Sequence, residues 1–265
     1  MSSTRPSKPT SRLADLDLSA HLSDPSRKQQ FVTPMFDIIA PRYDAFTRWF
    51  SFGMDAKWKR EALTAAMSAI GAADEHPLVA LDLASGTGDV ACAVARMWPM
   101  ARVDALDASS RMIDAARERL LARDADVAAR VTPMVGDMMA LPQADRSVDL
   151  ITASYGVRNV PDPATSVREM ARVLKPGGVV VTIDFYRPNT AWWRALFLGY
   201  LRVAGNLVGW LWHRDPIVYG YIAQSIDAFM SDRAFARLLE QSGFSMVSTR
   251  HYLLGGVARH VAVRR

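Results

Sequence analysis

One cysteine in 265 residues, Cys92, leaves no possibility of an internal disulfide and gives a cysteine-built zinc site nothing to stand on. A reducing, cytoplasmic location is therefore the expectation, and no metal is expected. No apolar run reaches membrane-spanning length, because Arg202 and Asn206 interrupt the most apolar region, Ala195 to Trp212. The N-terminus lacks the apolar centre of a secretory signal and is rich in Ser, Pro, Arg and Asp, so residues 1–30 read as a disordered tail rather than an anchor. The net charge of +5 is not gathered into a Lys/Arg block, which argues against a nucleic-acid partner. No internal repeat is visible.

Half of the residues are apolar and 22% are charged, enough for a sizeable core, and an α/β fold of this length can form one domain. Apolar residues at helical spacing predict a helix from Phe31 to Tyr43 and another from Asp55 to Ile70. From Leu78 onward short apolar runs alternate with helical patterns. Strands are expected at 78–84, 102–106, 131–135, 148–153 and 179–185, with helices at 89–98, 109–123 and 164–174. The turn Lys175-Pro176-Gly177-Gly178 should end the last of these helices. Such alternation predicts a parallel sheet covered on both faces. After a helix from Asp232 to Gln241, runs at 246–253 and 257–263 are separated only by Leu254-Gly255-Gly256, a gap that makes an antiparallel hairpin. An aromatic-rich insertion, residues 186–230, stands outside the alternation.

The segment from Leu81 to Asp89 leaves a buried strand and enters a helix through Gly86-Thr87-Gly88. Glycines permit the tight turn and the close approach of a ligand to the backbone. Asp107, at the end of the second strand, is placed to accept hydrogen bonds from a ribose diol. With Ala91 as a third small residue, this pattern fits a dinucleotide fingerprint as well as a methyltransferase one. Gly136-Asp137-Met138 after the third strand, together with the terminal hairpin, favours a sulfonium cofactor over a nicotinamide one; taken alone, Asp137 would also suit a helix cap.

These segments, with Leu174-Lys175-Pro176-Gly177-Gly178, resemble class I S-adenosylmethionine-dependent methyltransferases. Three others are more specific. They are Phe36-Asp37-Ile38-Ile39-Ala40-Pro41-Arg42-Tyr43-Asp44 leading into Ser51-Phe52-Gly53 and Trp58-Lys59-Arg60, Ser154-Tyr155-Gly156-Val157-Arg158-Asn159-Val160, and Tyr219-Gly220-Tyr221-Ile222-Ala223-Gln224-Ser225-Ile226. Together they resemble the ubiquinone/menaquinone biosynthesis C-methyltransferase family from about Phe31 to the C-terminus.

The resemblance implies a Rossmann-like seven-stranded α/β sheet, mostly parallel with an antiparallel C-terminal hairpin, over residues 31–265. Residues 31–70 form a helical cover, and 186–230 a lid. It implies S-adenosyl-L-methionine as methyl donor and a polyprenylated quinol as acceptor, demethylmenaquinol ahead of a benzoquinol. Gly86, Thr87, Gly88, Asp107, Asp137, Met138 and Ser154 match cofactor-contacting positions. Tyr43 matches the tyrosine that closes over the methyl-donor end, and Arg158 an arginine beside the quinol ring. Thr47, Asp55 and Gln224 depart from the residues common at their positions.

Methylation of a quinol carbon needs a hydroxyl brought close to its phenolate. Arg158 suits that stabilisation, and Asp44 and Asp184 are candidate bases. A soluble phenolic acceptor and a catalytically silent partner subunit are the competing readings. Trp192, Trp193, Trp210 and Trp212, with Arg194, Arg202 and Arg214, suit a headgroup boundary, so contact with the inner face of a membrane is expected. A homodimer is also among the expectations.

Overall fold

The computed structural model describes residues 28, 32–37, 40, 47–48, 51, 53–71, 77–122, 125–213 and 217–265. Helix α1 (Asp55–Ile70) buries Trp58, Ala62, Leu63 and Ala66, which recur at helical spacing, and stops at Gly71, whose φ is +82°. Then β1 (Val79–Leu83), α2 (Asp89–Met97), β2 (Arg102–Asp107), α3 (Ser110–Leu121), α4 (Ala125–Arg130), β3 (Val131–Val135), β4 (Val148–Ser154), α5 (Pro163–Val173) and β5 (Leu174–Phe185) follow in order. Helices α6 (Ala191–His213) and α7 (Ile217–Ala228) form the insertion. Helix α8 (Asp232–Gln241) and the strands β6 (Phe244–Tyr252) and β7 (Val257–Arg264) close the chain.

The seven strands lie in the order β3-β2-β1-β4-β5-β7-β6, with β7 antiparallel to both of its neighbours. The expected sheet and terminal hairpin are therefore present. Strand order reverses between β1 and β4, and the crevice at the strand carboxyl ends there is where open α/β sheets bind ligands. Side chains cap the starts of α3, α5 and α8. Ser109 Oγ accepts the N–H of Met112, Asp162 Oδ1 that of Ala164 just after Pro163, and Ser231 Oγ that of Ala234. Each such cap is worth ~1 kcal/mol.

Two expectations fail locally. Residues 125–130 form a helix where none is expected. The Lys175–Gly178 turn does not precede β5 but interrupts it: Leu174 already pairs with Val148, and pairing resumes five residues on at Val179 with Leu150. The turn residues loop out of one strand, with Gly177 at φ +80°.

Helices α2, α3 and α4 help bury one side of the sheet, where Trp98 packs with Val103 and Val94. Helices α5 and α8 bury the other around Met170, Phe235 and Phe244. Tyr186, placed by sequence at the start of the insertion, belongs to that second core and is fully buried. A third cluster joins the N-terminal segment (Val32, Met35) to α6 and α7 through Phe197, Leu201, Tyr221 and Ile226, with Met112 of α3 at its edge. That cluster places the insertion over the strand carboxyl ends. Within α6, Trp193 and Leu201 turn inward, whereas Trp192, Leu196, Tyr200, Val203 and Leu207 face out. No described helix is long and apolar enough to cross a membrane.

Candidate cofactor and acceptor site

The turn after β1 is held open from the neighbouring strand. Asp107 Oδ2 accepts the Gly86 N–H at 2.8 Å, and its Oδ1 accepts the Ser109 N–H at 2.9 Å. Gly86 and Gly88 both have positive φ, and so does Ala84, where a side chain makes that conformation costly. Burial raises the Asp107 pKa, against the pull of the backbone N–H donors of Ser109 and Gly86. Tyr155, at the end of β4, is a second non-glycine residue with positive φ, and a Cβ on Gly156 would collide with Ala84. The β1 and β4 turns therefore touch, and strained backbone on both sides of the crevice marks it as a site.

The crevice holds about 640 Å³ of space. Gly86, Asp107, Asp137, Met138 and Ser154, all expected from sequence, line it together. Gly136 lies beside them, and a Cβ there would meet Leu106 at 2.7 Å. Asp137 Oδ1 accepts the Met139 N–H at 2.8 Å, so this acid both caps its own turn and borders the crevice. Thr87 and Gly88 do not line it: Thr87 is buried in the turn, and Gly88 caps α2. Tyr43 and Asp44 lie outside the described residues.

Arg158 is not on the crevice wall. It is buried behind it, with Nη1 donating to Asp184 Oδ1 at 2.7 Å and to the Tyr155 carbonyl at 2.8 Å. Its own N–H meets Asp184 Oδ2 at 3.1 Å, and its guanidinium stands 5.3 Å from the Phe185 ring centre. Asp184, a candidate base, is thus tied to Arg158 on both oxygens. Lys28 adds a cation: its Nζ donates to the carbonyls of Arg158 at 2.8 Å and Val160 at 2.9 Å. Burial, reinforced by Arg158, pulls the Lys28 pKa down to about 8.

Sequence reasoning missed Asn159 and Tyr155 as individual site residues, although both stand in the segment that carries the resemblance. Asn159 lines the crevice and donates to the Tyr155 carbonyl at 3.0 Å, and Tyr221 of α7 donates to Asn159 Oδ1 at 3.2 Å. The insertion therefore meets the crevice wall at the Tyr221–Asn159 hydrogen bond. Lys59, which stands in the Trp58-Lys59-Arg60 segment of the resemblance, is given no role there. It bridges Asp55 (2.9 Å) and Asp89 (2.8 Å) and lies 5.5 Å from the Tyr155 ring centre, pinning α1 to the start of α2. The pairing of Asp55 with Lys59 four positions later was a readable helix signal.

One end of this arrangement offers acids and bare backbone for a polar, ribose-bearing ligand. At the other end, a buried cation–carboxylate pair sits behind an aromatic wall. The sequence model of the ubiE/COQ5 methyltransferase family matches residues 25–264. The chain is 36% identical to the ubiquinone/menaquinone biosynthesis C-methyltransferase UbiE of Syntrophotalea carbinolica, over 87% of this chain and 92% of that one. It is 37% identical to the demethylmenaquinone methyltransferase of Mycobacterium sp. strain JLS, over 88% and 94%. Among solved structures, an S-adenosylmethionine-dependent methyltransferase from Aquifex aeolicus shares the fold, with a TM-score of 0.54 at 16% identity over 78% of this chain and 89% of that one.

Proposed function

Because the chain belongs to the ubiE/COQ5 methyltransferase family, and is thereby an S-adenosylmethionine-dependent methyltransferase of quinone biosynthesis, we propose that its acceptor is a ring carbon of a polyprenylated quinol, demethylmenaquinol first. The observation that carries this reading is the pairing of two unlike half-sites at the strand-order reversal.

The residues present fit the methyl donor. Gly86 and Gly136 line the crevice with backbone alone, and Asp107 offers remaining lone pairs to ribose hydroxyls. Asp137 with Met138 borders the adenine position. When bound, the donor supplies an electrophilic methyl group; the chain supplies orientation and electrostatics. Positioning alone contributes ~7–11 kcal/mol in well-aligned cases.

At the acceptor end, Arg158 remains protonated and bears on the loop that forms the wall. Asp184 fixes the guanidinium in place behind the wall, so Arg158 acts on the acceptor by positioning the Tyr155–Asn159 loop against the quinol ring and not by direct donation to its hydroxyl. Tyr43 is assigned to close over the methyl-donor end on the strength of the family pattern.

The isoprenoid tail of such an acceptor requires a route from a bilayer. On α6, Trp192, Leu196, Val203 and Leu207 recur at helical spacing along one exposed face, while Phe197 and Leu201 pack inward. Among the described residues no hydrophobic cluster covers these four. We assign that face to peripheral contact with a membrane surface. Replacing Trp192, Leu196 and Val203 with serine should abolish liposome co-sedimentation and reduce turnover of long-tailed quinols, while a short-tailed soluble analogue is turned over normally. Loss on both substrates would make the face structural, and a concentration-dependent monomer–dimer shift in the variant would assign it to a second copy instead.

A further inference from the structure

On the far side of α1 from the crevice wall, a groove of about 920 Å³ runs between that helix and the β6–β7 hairpin. Four cations line it, Lys57, Arg60, Arg250 and Arg259, against the single carboxylate of Glu61. The hairpin half of this set is internally repulsive. Arg250 and Arg259 are direct cross-strand partners, so their side chains leave the same face of the sheet at the closest spacing the ladder allows. Like charges in that relation destabilise a strand pair.

Glu61 relieves only part of the repulsion. Its Oε2 accepts the Tyr252 hydroxyl at 2.7 Å and lies 3.5 Å from Arg250 Nε. Arg259, only 8% exposed, reaches the Glu61 backbone carbonyl at 3.2 Å and Ser248 Oγ at 3.1 Å, both uncharged acceptors. Among the described residues no carboxylate comes within ion-pair distance of it, and its Nε–H has no hydrogen-bond partner. Burial draws the Arg259 pKa below the usual arginine value. Neither Lys57 nor Arg60, exposed one turn apart on α1, has an ion pair among the described residues. A buried guanidinium with no counter-ion, facing a second arginine, is costly unless an anion completes the set.

We propose that this groove is a binding site for a phosphoryl anion, held between the guanidinium groups of Arg250 and Arg259 with Lys57 and Arg60 at its mouth. Guanidinium forks match the tetrahedral oxygens of a phosphate, and two opposed arginines supply more donors than a carboxylate could accept. The site is independent of which acceptor the methyl group reaches. Its surroundings favour a phosphate carried by an anionic lipid over one free in solution. The hairpin tip beyond Tyr252 presents Leu254, 73% exposed and held with φ +50°, and the preceding Leu253 carbonyl accepts the Trp193 indole N–H at 2.9 Å. Groove, apolar tip and the start of α6 are thus joined along one border of the molecule.

The test uses the full chain and the triple variant Lys57→Ala/Arg60→Ala/Arg250→Ala, whose side chains are exposed and outside the crevice. Binding is read on phosphatidylcholine vesicles with and without phosphatidylglycerol, and by calorimetry with glycerol 1-phosphate. The native chain should prefer the anionic vesicles, and the variant should lose that preference by about a hundredfold, three cations near a charged surface being removed. Its residual binding to neutral vesicles and its turnover of a soluble acceptor should stay unchanged. Glycerol 1-phosphate binding that disappears in the variant would assign the site to a free phosphate. A conservative Arg250→Lys chain should keep most of the binding. Equal binding of native and triple-variant chains to both probes would overturn the proposal. Loss of all vesicle binding in the α6 serine variant, with phosphate binding intact, would bear on the membrane face alone and leave the groove in place.

Discussion

The cofactor end and the acceptor end of the crevice share one wall but are built differently. At the cofactor end, short side chains and bare backbone sit at the ends of adjacent parallel strands; Asp107 reaches back 21 residues to Gly86, and Ser109 ties on the N-terminal segment through Asp37, 72 residues away. At the acceptor end, Lys28 reaches Arg158 across 130 residues, Arg158 reaches Asp184 across 26, and Tyr221 reaches Asn159 across 62. The first is set mainly by strand, turn and helix, with one long-range tie. The second exists only after the N-terminal segment, the β4 loop and the insertion have docked on one another.

Removing Arg158 should separate the two ends most sharply. Arg158→Ala leaves Asp184 buried and unpaired, so a loss of ~3–5 kcal/mol in unfolding free energy is expected along with the loss of turnover. The double variant Arg158→Met/Asp184→Leu should recover most of that stability, by denaturant titration, yet stay depressed in kcat with near-normal cofactor affinity, because the acceptor-wall loop has lost its anchor. Recovery of both would reduce the pair to a structural element.

At the other end, Asp107→Ala should weaken S-adenosylmethionine binding by ~1.5–3 kcal/mol in titration calorimetry, since it removes a charged acceptor and frees the Gly86 turn. Unchanged affinity in a folded chain would take Asp107 out of the site. Gly156→Ala forces a Cβ against Ala84 where the two turns meet. A stability loss of ~1–3 kcal/mol, with cofactor binding falling alongside it, is expected from such overpacking.

On pH dependence, two buried groups act with opposite sign. Burial raises the Asp82 pKa from 3.8 to about 7, while the Thr152 hydroxyl bound to Oδ1 opposes it. The stability it contributes is complete below its unfolded pKa and is lost as pH rises through 7. Burial lowers His260 from 6.5 to about 4, and its contribution is complete above 6.5 and lost as pH falls through 4. Asp82→Asn should therefore steepen the fall of Tm on acidification between pH 6.5 and 4, and His260→Gln should flatten it. Parallel Tm curves for both variants would contradict the assignment.

The same contrast explains what could be read beforehand. Period-2 and period-3.6 patterns, glycine punctuation and capping residues are local, so α1, β3 and α8 fall on the expected residues and Gly86, Asp107, Asp137 and Met138 of the crevice were anticipated from them, whereas Ser154 came from the family likeness alone. The Lys175–Gly178 turn misled because a strand can begin before a turn and resume after it when its neighbour supplies partners on both sides. At the acceptor end, Arg158 was expected from family likeness, but its burial against Asp184 depends on β5 and could not be foreseen from spacing. The outward face of α6 was visible only as an aromatic-rich stretch. Which of its residues point out is decided by the cluster around Phe197 and Tyr221.

The claim that both ends serve one reaction is tested most directly by following the methyl group. The purified chain is incubated with methyl-labelled S-adenosylmethionine and reduced demethylmenaquinone, and the product is analysed by fragmentation mass spectrometry. A labelled methyl on the naphthoquinol ring carbon, formed in step with S-adenosylhomocysteine, is the predicted result. Label on oxygen, or no transfer to either a naphthoquinol or a benzoquinol acceptor, would contradict the account.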